Sequence, residues 1–439
     1  MIKRIFLALL LLAVVVAVAF AVYAWHSELP AMAASDRPDF DAATVEKGRV
    51  LAAAGYCATC HTAKGGEPYA GNYPVVSDFG TIYASNITPD PDTGIGDWSP
   101  EAFRRAMHEG VDREGRHLFP AFPYDHFTKL SDQDVDALYA YLMSEVTPVN
   151  QETREPTLPF PLDLRFLQAG WKLLFVDFGR YQPDPARSDA WNRGAYLTEG
   201  ISHCGACHTP RNALGAEDPD RRFAGATIDR WVAPALTADN PSGVPWSARD
   251  FTTYLTLGAD RFHGVAAGPM GPVVHGGVAE LPDSDLNALG VYLADVTGAG
   301  QRDDRASDAT DNAALAASLA AGKPDPAWRL EQGARLYVSA CAACHYNATP
   351  DSLTATRPDL GINSATRLDD PANLIHVMLD GIPADEGSHG VVMPAFRSAL
   401  DDQQIAAIAA YLRATRTDLP AWPDLPARVG ELRAHAGTH

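Results

Sequence analysis

The pattern C-x-x-C-H occurs three times in this chain and accounts for all six of its cysteines. The three copies cover residues 57–61, 204–208 and 341–345. Two thiols at this spacing can form thioether bonds to the two vinyl groups of one haem, and the next residue, His, then lies under the iron as its proximal ligand. A bare C-x-x-C is also typical of a redox pair or half a zinc site. The histidine in every copy favours haem, so the sequence predicts three covalently bound haem c groups.

The residues of these motifs form the predicted cofactor sites. The predicted thioether-forming residues are Cys57, Cys60, Cys204, Cys207, Cys341 and Cys344, and the predicted proximal iron ligands are His61, His208 and His345. At 439 residues the chain is too long for one core and suits about three domains. Its formal net charge of −20 argues against a nucleic-acid partner, because proteins that bind nucleic acids carry basic surfaces.

An apolar segment near the N-terminus indicates where the protein resides. Lys3 and Arg4 precede an uninterrupted apolar run of 21 residues, from Ile5 to Trp25. About 20 such residues span a bilayer, whereas the apolar core of a signal peptide has about 7–15. The length favours a retained transmembrane helix, although the small residues around 31–33 offer a possible cleavage site. Both interpretations place the rest of the chain outside the cytoplasm, on the periplasmic face of the cell (inner) membrane.

The sequence around each haem motif repeats. Each copy begins with a helical stretch that carries a glycine before the first cysteine, namely Gly48, Gly194 and Gly333. Each ends with an apolar helix, at 131–142, 282–293 and 401–412. A glycine on the first helix would let an aromatic residue of the last helix approach closely. The repetition predicts a mainly α fold of three tandem class I cytochrome c-like domains behind an N-terminal transmembrane helix.

The repeats also set the expected boundaries. We predict an anchor or signal segment (1–28), a first domain (38–148), a linker with an apolar docking segment (149–187), a second domain (188–298), a linker (299–325), a third domain (326–417) and a C-terminal tail (418–439). The apolar stretch at 166–178 is too short to span a membrane. It could dock on a partner, lie on the membrane surface or pack across the first two domains.

The residue opposite the proximal histidine decides what each haem can do. A methionine thioether raises the reduction potential and suits electron transfer, whereas an open position suits ligand binding or catalysis. Met270 follows His208 by 62 residues and Met393 follows His345 by 48, and each lies in a loop with Gly or Pro just before the closing helix. We therefore predict Met270 and Met393 as the sixth ligands of the second and third haems. Surface positions or contacts with haem propionates are expected for the other histidines of these two repeats, His263, His275, His376 and His389.

The first domain departs from this pattern. Phe122 stands 61 residues after His61, and a phenylalanine cannot bind iron. His126, His117 and Met107 are the candidates nearby; Met107 lies where the second repeat has Leu255, so it is expected in the core. The sequence leaves two alternatives for the first haem, ligation by His126 or a five-coordinate or weakly ligated iron.

Several longer segments resemble a known family. They are FGTIYASNITPDPDTGIGDWS (79–99), FRRAMHEGVDREGRHLFPAFPYDHFTKLSD (103–132), HCGACHTPRNALGAE (203–217) and FHGVAAGPM (262–270). In these the chain resembles the three-haem cytochrome c subunits of periplasmic membrane-bound dehydrogenases over roughly residues 40–417. Many relatives have Pro-Ala-Met-Pro-Tyr in the first domain, where this chain has Phe122. The Phe-Pro-Tyr-Asp-His-Phe form is similar to subunits paired with molybdenum hydroxylases, such as nicotinate and aldehyde dehydrogenases.

The resemblance implies an electron-transfer subunit rather than an enzyme. A separate dehydrogenase catalytic subunit, of the molybdenum hydroxylase type, would oxidise the substrate, and this chain would pass the electrons to ubiquinone or to a downstream oxidase or cytochrome. A quinoprotein alcohol dehydrogenase or a flavin-dependent sugar or gluconate dehydrogenase is the alternative partner. Two alternatives belong to other functional classes: a catalytic haem enzyme with an open first haem, and a subunit of a respiratory oxidase. No G-x-G-x-x-G pattern opens a helix after a strand, so no catalysis is expected from this chain alone.

Overall fold

The computed structural model describes residues 1–260, 262–298, 316, 329–345, 359–384 and 392–434. The predicted linker 299–325 lies outside the described residues except for position 316, as do parts of the predicted third domain (326–328, 346–358 and 385–391) and the end of the tail. Within the described part, helices predominate, and the strands form three short antiparallel hairpins. This agrees with the predicted mainly α fold.

The helices and strands are as follows. The helices are α1 (Ile2–Ala24), α2 (Ala42–Ala54), α3 (Cys57–Cys60), α4 (Pro100–Glu109), α5 (Tyr124–Phe127), α6 (Asp132–Ser144), α7 (Gln168–Phe175), α8 (Asp189–Glu199), α9 (Gly205–His208), α10 (Ala248–Leu257), α11 (Met270–Val274), α12 (Asp283–Val296), α13 (Gln332–Ala340), α14 (Ala342–His345), α15 (Ser364–Arg367), α16 (Ala372–Asp380), α17 (Asp402–Arg416) and α18 (Leu425–Ala434). The strands are β1 (Pro74–Ser77), β2 (Gly80–Tyr83), β3 (Ala226–Ile228), β4 (Trp231–Ala233), β5 (Ala259–Asp260) and β6 (Gly264–Val265). They pair as β1–β2, β3–β4 and β5–β6.

The chain divides into two compact units. The first comprises residues 1–53, 57–182 and 199–203, and the second comprises 54–56, 183–198 and 204–439. The first unit holds α1 and the first haem motif, and the second holds the other two motifs. The division into three haem domains stays a prediction.

The close helix crossings expected from the repeats are present in all three places. A Cβ on Gly48 of α2 would overlap the carbonyl oxygen of Ala137 on α6. Gly194 of α8 meets the carbonyl oxygen of Ala288 on α12, and Gly333 of α13 meets that of Ala407 on α17, in the same way. In each crossing the Cβ of a tyrosine on the closing helix lies next to the glycine, at Tyr141, Tyr292 and Tyr411. Only glycine allows backbones this close, so the predicted role of these residues is confirmed.

The apolar core follows these crossings. In the first unit the largest fully buried side chains are Tyr124, Leu130, Leu138 and Tyr139, which lie on α6 and just before it, and Ile201. In the second unit Leu286 and Leu289 of α12 are buried, and α16, α17 and α18 bury Ile375, Leu379 and Ile405 among other residues. The closing helix of each repeat is therefore a centre of packing, and it holds the neighbouring loops in place.

The N-terminal helix is exposed along nearly its whole length. Helix α1 has a mean hydropathy of 3.3 over its most apolar window and buries only Ala24 among its 23 residues. It is long and apolar enough to cross a membrane, although a signal sequence would have the same character. Alongside it, helix α7 contacts α1 and presents Leu173 and Leu174 outwards.

Candidate haem-binding sites

Each C-x-x-C-H motif folds into a single helical turn directly after the helix that carries the repeat's glycine. The histidine amide donates to the carbonyl of the first cysteine at 2.9 Å for His61, 3.0 Å for His208 and 2.9 Å for His345. Residues three apart in a helical turn share one face, so the two thiols of each motif lie side by side. All six cysteines are free thiols. This arrangement fits thioether bonds to one haem in each motif.

The surroundings of the first thiol in each motif disfavour its charged form. Burial raises the pKa of Cys57 and Cys204 to about 12, and that of Cys341 to about 11. A redox-active cysteine needs a thiolate, which an electropositive setting stabilises by lowering the pKa. The first cysteine of each motif therefore lies in an apolar setting that suits a neutral thioether.

Two of the proximal histidines are oriented by backbone carbonyl groups. The Nδ1 atom of His61 lies 2.7 Å from the carbonyl oxygen of Ser85, and Nδ1 of His208 lies 2.7 Å from that of Pro234. A carbonyl only accepts, so Nδ1 carries the proton and the lone pair of Nε2 is left for a metal. Burial lowers the pKa of both imidazoles, which keeps them neutral as a metal ligand must be.

The third histidine is positioned through its main chain. The hydroxyl of Tyr337 on α13 donates to the carbonyl oxygen of His345 at 2.8 Å. Tyr337 is itself buried, and its ring lies 5.5 Å from that of Tyr411 on the closing helix α17. These contacts link the third motif to the crossing of α13 and α17, at which Gly333 lies.

Both predicted methionine ligands are half-buried and held by the backbone around them. Met270 is the first residue of the short helix α11 rather than part of an open loop. It follows Gly268, where a Cβ would overlap the ring of Trp231. Met393 exchanges two backbone hydrogen bonds with Ile382, each of 3.0 Å. Each methionine precedes the closing helix of its repeat, α12 or α17. Their ligation of iron stays a prediction.

The matching loop of the first domain presents apolar groups. The ring of Phe122 packs edge-on against that of Phe127 with centroids 5.3 Å apart. Met107 is buried on α4, which confirms the core position expected for it. His117 is engaged at both ring nitrogens, with Nε2 2.9 Å from the carbonyl oxygen of Ala24 and Nδ1 3.0 Å from Nζ of Lys172. Of the three candidates near Phe122, neither Met107 nor His117 is therefore placed to bind iron.

His126 lies on the single turn of α5. Its Nδ1 atom lies 2.9 Å from the carbonyl oxygen of Glu199, and its ring centroid lies 6.0 Å from that of His203. The first of these contacts is of the same type as that of His61, and it leaves Nε2 as the nitrogen suited to a metal. The contacts fix the ring beside residues 199–203 of the same unit, a placement that nothing in the sequence indicates.

Two other histidines do not lie at the surface, one of the two alternatives expected for them. His263 and His376, which the sequence predicts at the surface or on haem propionates, are both buried. His263 stacks on Trp246 with centroids 3.8 Å apart, and Ser242 contacts its Nδ1 at 2.8 Å. His376 stacks on Trp231 at 4.7 Å. Their flat rings fill the core beside tryptophan, a role that sequence spacing does not reveal. His275 is half-buried, and His389 lies outside the described residues.

Comparisons with known proteins agree with this geometry. Residues 45–145 match the family model described as cytochrome c, and residues 329–412 match that described as cytochrome c oxidase, cbb3-type, subunit III. The motif turns and these matches define a c-type cytochrome with covalently bound haem, whose role is electron transfer.

Three relatives show which kind of c-type cytochrome this chain is. The gluconate 2-dehydrogenase cytochrome c subunit of Pantoea cypripedii is 38% identical over 84% of this chain and 85% of its own length. The fructose dehydrogenase cytochrome subunit of Gluconobacter japonicus is 36% identical over 87% and 80%. A nicotinate dehydrogenase subunit of Pseudomonas putida is 46% identical over 94% of this chain, which spans only 34% of that longer relative. The chain belongs to the family of dehydrogenase cytochrome c subunits.

Proposed function

We propose that the chain carries three haems c, one in each predicted domain, and passes electrons from a periplasmic dehydrogenase catalytic subunit to ubiquinone or a terminal oxidase. The observation that carries the proposal is the threefold recurrence of one local arrangement, a helical C-x-x-C-H turn beside a glycine-mediated helix crossing. A haem bound there supplies a one-electron redox centre whose potential its ligands and burial tune.

The residues have distinct roles in this proposal. His61, His208 and His345 are the proximal ligands, and Met270 and Met393 complete the second and third irons. The backbone carbonyl groups of Ser85 and Pro234 hold two of the imidazoles in the tautomer that iron requires. The first iron has either His126 or no protein group in the sixth position, because Phe122 stands where the repeat would place methionine.

The partner we propose is a catalytic subunit of the molybdenum hydroxylase type. The 46% identity to the nicotinate dehydrogenase subunit of Pseudomonas putida supports this choice over a quinoprotein or flavin-dependent partner, since the other two relatives are 38% and 36% identical. The chain spans about a third of that relative's length, so the relative's activity does not carry over to this chain, and the partner named here is a proposal.

We further propose that α1 is retained as an anchor in the inner membrane, with the haem domains in the periplasm. The residues just after α1 support this, because they are joined to the first domain. Leu29 N donates to the carbonyl oxygen of Arg113 at 2.9 Å, Met32 N donates to that of Asp97 at 2.8 Å, and Arg105 donates to that of Ser27 at 2.8 Å. Cleavage near residue 33 would remove all of these hydrogen bonds.

The native complex tests the proposal. Affinity purification of the full chain from its own membranes, followed by mass spectrometry, should recover a dehydrogenase catalytic subunit, and the intact mass after acid–acetone extraction should retain three haems. Recovery of a haem–copper oxidase subunit without any dehydrogenase subunit, or retention of two haems or fewer, would contradict it. Stoichiometric carbon monoxide binding at one reduced haem, together with turnover of peroxide, would favour the catalytic alternative that the Phe122 loop suggests.

A further inference from the structure

Helix α7 buries polar residues and exposes apolar ones, which is the reverse of the usual arrangement for a helix on a water-exposed surface. Gln168, Ala169 and Lys172 are its buried residues, whereas Leu173 and Leu174 are 65% and 69% exposed. A surface helix normally turns its apolar stripe to the protein and its charged residues to water. The reversal indicates that the medium outside α7 is not water.

The polar face of α7 is firmly fixed in the first unit. Nζ of Lys172 lies 2.7 Å from the carbonyl oxygen of Glu109, 2.6 Å from that of Gly110 and 3.0 Å from Nδ1 of His117. It also lies 4.7 Å from the centre of the Tyr124 ring. Moving this buried amine would leave the carbonyl groups of Glu109 and Gly110 without their hydrogen-bond donor, which costs free energy. Helix α7 therefore cannot rotate about its axis to bury Leu173 and Leu174.

The exposed apolar surface extends along the chain on both sides of α7. Phe160 is 79% exposed, and the side chains that continue the patch are Leu162, Leu164, Phe166 and Phe178. Single exposed apolar residues are common on soluble proteins, but a run of this kind within about twenty residues marks a contact surface. Only two acidic residues, Asp163 and Asp177, interrupt it.

The position of this patch relative to α1 identifies what covers it. The ring of Phe166 packs edge-on against that of Phe20 with centroids 5.4 Å apart, and a Cβ on Gly170 would lie 3.5 Å from the same Phe20 ring. Phe20 precedes the end of α1 at Ala24 by four residues, which is about 6 Å at 1.5 Å per residue. A group that touches Phe20 from outside therefore lies at the outer edge of the hydrocarbon layer that α1 crosses.

We propose that residues 158–178, here called the interfacial segment, insert their apolar side chains into the outer boundary of the membrane beside α1. The inference rests on the retained anchor of the proposed function. Lipid is favoured over a protein partner because the segment adjoins a helix whose own surface is apolar and exposed along nearly its whole length. Insertion here would depend on buried apolar area rather than on attraction to anionic lipids, since the chain is strongly acidic.

Photochemical cross-linking in native membranes tests the assignment with little risk to folding. A diazirine analogue of leucine is placed at position 174 of the full-length holoprotein, with the same analogue at position 214 as a control. Leu174 and Leu214 are both largely exposed, at 69% and 57%, but Leu214 lies in the second unit outside the segment. Illumination should give a phospholipid adduct at position 174 and none at 214.

The other outcomes separate this inference from the anchor on which it rests. An adduct to another protein at position 174, or only the water-quenched product, would overturn the interfacial segment. N-terminal sequencing of the same sample reports on α1 independently. A lipid adduct on a chain that begins near residue 34 would show insertion of the segment but remove the anchor, and with it the placement beside α1. An intact α1 without a lipid adduct would remove the segment alone.

Discussion

The first and second repeats share one backbone plan up to the loops that carry different residues at the position proposed for the sixth iron ligand. Ser99 caps α4 and Ser247 caps α10, each accepting a hydrogen bond from the amide three residues on. Both helices end at a glycine in the left-handed region, Gly110 at φ 62° and Gly258 at φ 71°. Both then turn back in a short antiparallel pairing.

The backbones of the two repeats remain alike up to the start of the predicted ligand loop, and the two sequences differ within that loop. Leu118 N donates to the carbonyl oxygen of Gly110 at 2.7 Å, and Ala266 N donates to that of Gly258 at 2.8 Å. Beyond these bonds one chain leads to Phe122 and the other to Met270. The backbone that leads to this position is therefore shared, and the difference proposed between the two haem sites begins with one side chain, Phe122 or Met270. Substitutions in the shared backbone test whether the two repeats follow the same plan. Substitutions at Phe122 and Met270 test what the differing residue does.

The largest effect is expected at the helix crossings, which the repeats share. Gly48→Ala and Gly194→Ala each place a Cβ against a carbonyl oxygen of the closing helix. Because that oxygen belongs to buried backbone, the overlap should cost at least about 3 kcal/mol, the upper end of ordinary overpacking. Haem content and the thermal midpoint should both fall in each variant.

The control for this prediction is Glu46→Ala, which changes an exposed residue of the same helix, α2. It should keep full haem content. Normal haem content in Gly48→Ala with loss only in Gly194→Ala would mean that the two repeats do not share the crossing.

Loss of the predicted methionine should alter one repeat and not the other. Met270→Ala removes a thioether ligand, so the weak near-infrared sulfur-to-iron band should lose about half its intensity if two haems are His/Met ligated. Phe122→Ala, its matched control in the first repeat, should leave that band unchanged. A band that survives both Met270→Ala and Met393→Ala would remove the assignment of these ligands.

The converse substitution should make the first haem resemble the second. Phe122→Met supplies a thioether at the matched position, so the near-infrared band should gain intensity and the potential of the first haem should rise. Spectroelectrochemical titration of the variant beside the wild-type protein measures both. Three identical His/Met haems in the wild-type protein would contradict the premise.

His126→Ala then distinguishes the two alternatives for the first haem. If His126 binds the iron, the variant gains a high-spin signal that the wild-type protein lacks. If the iron is open, the high-spin signal is present in both proteins.

The smallest effect is expected from acid. Burial lowers the pKa of His117 to about 4, and the nearby Lys172 cation acts in the same direction. The unfolded chain, with a histidine pKa of 6.5, binds more protons between pH 6.5 and 4, so stability falls as the pH drops through that window. The slope is at most about 1.4 kcal/mol per pH unit for one group.

The matched residue in the second repeat is Val265, which does not titrate. His117→Asn should therefore flatten the pH dependence of the melting of the first unit from pH 7 to 5 without altering that of the second. Some slope should remain, because burial also lowers the pKa of His108 to about 4. An unchanged slope in the variant would show that His117 is not the titrating group.

The parts of this molecule that could be predicted from sequence are those with a local signature. The C-x-x-C-H turns and the glycines at 48, 194 and 333 recur at corresponding places, and repetition reveals them. The acceptors of the proximal imidazoles could not be predicted. Ser85 and Pro234 lie 24 and 26 residues further on, and they act through carbonyl groups that every residue has.

Burial is equally hard to predict where polar groups find unusual partners. His263 and His376 are ordinary polar residues in the sequence, and only the folded chain shows each stacked on a tryptophan. The apolar stretch at 166–178 is evident in the sequence, but its orientation is not. That orientation depends on Lys172 reaching the end of α4, some sixty residues earlier in the chain.

The stretch that joins α1 to the first domain has a consequence for how electrons reach this protein. Residues 24–32 are bonded to the domain at Ala24, Leu29 and Met32, so no slack tether separates anchor from haem motif. With α1 retained, the first haem would sit at a constant height above the bilayer and could not swing out to collect a distant donor. Its redox partners would therefore have to reach it at that height, the dehydrogenase subunit by binding to this chain and a membrane-borne acceptor by moving along the plane of the membrane.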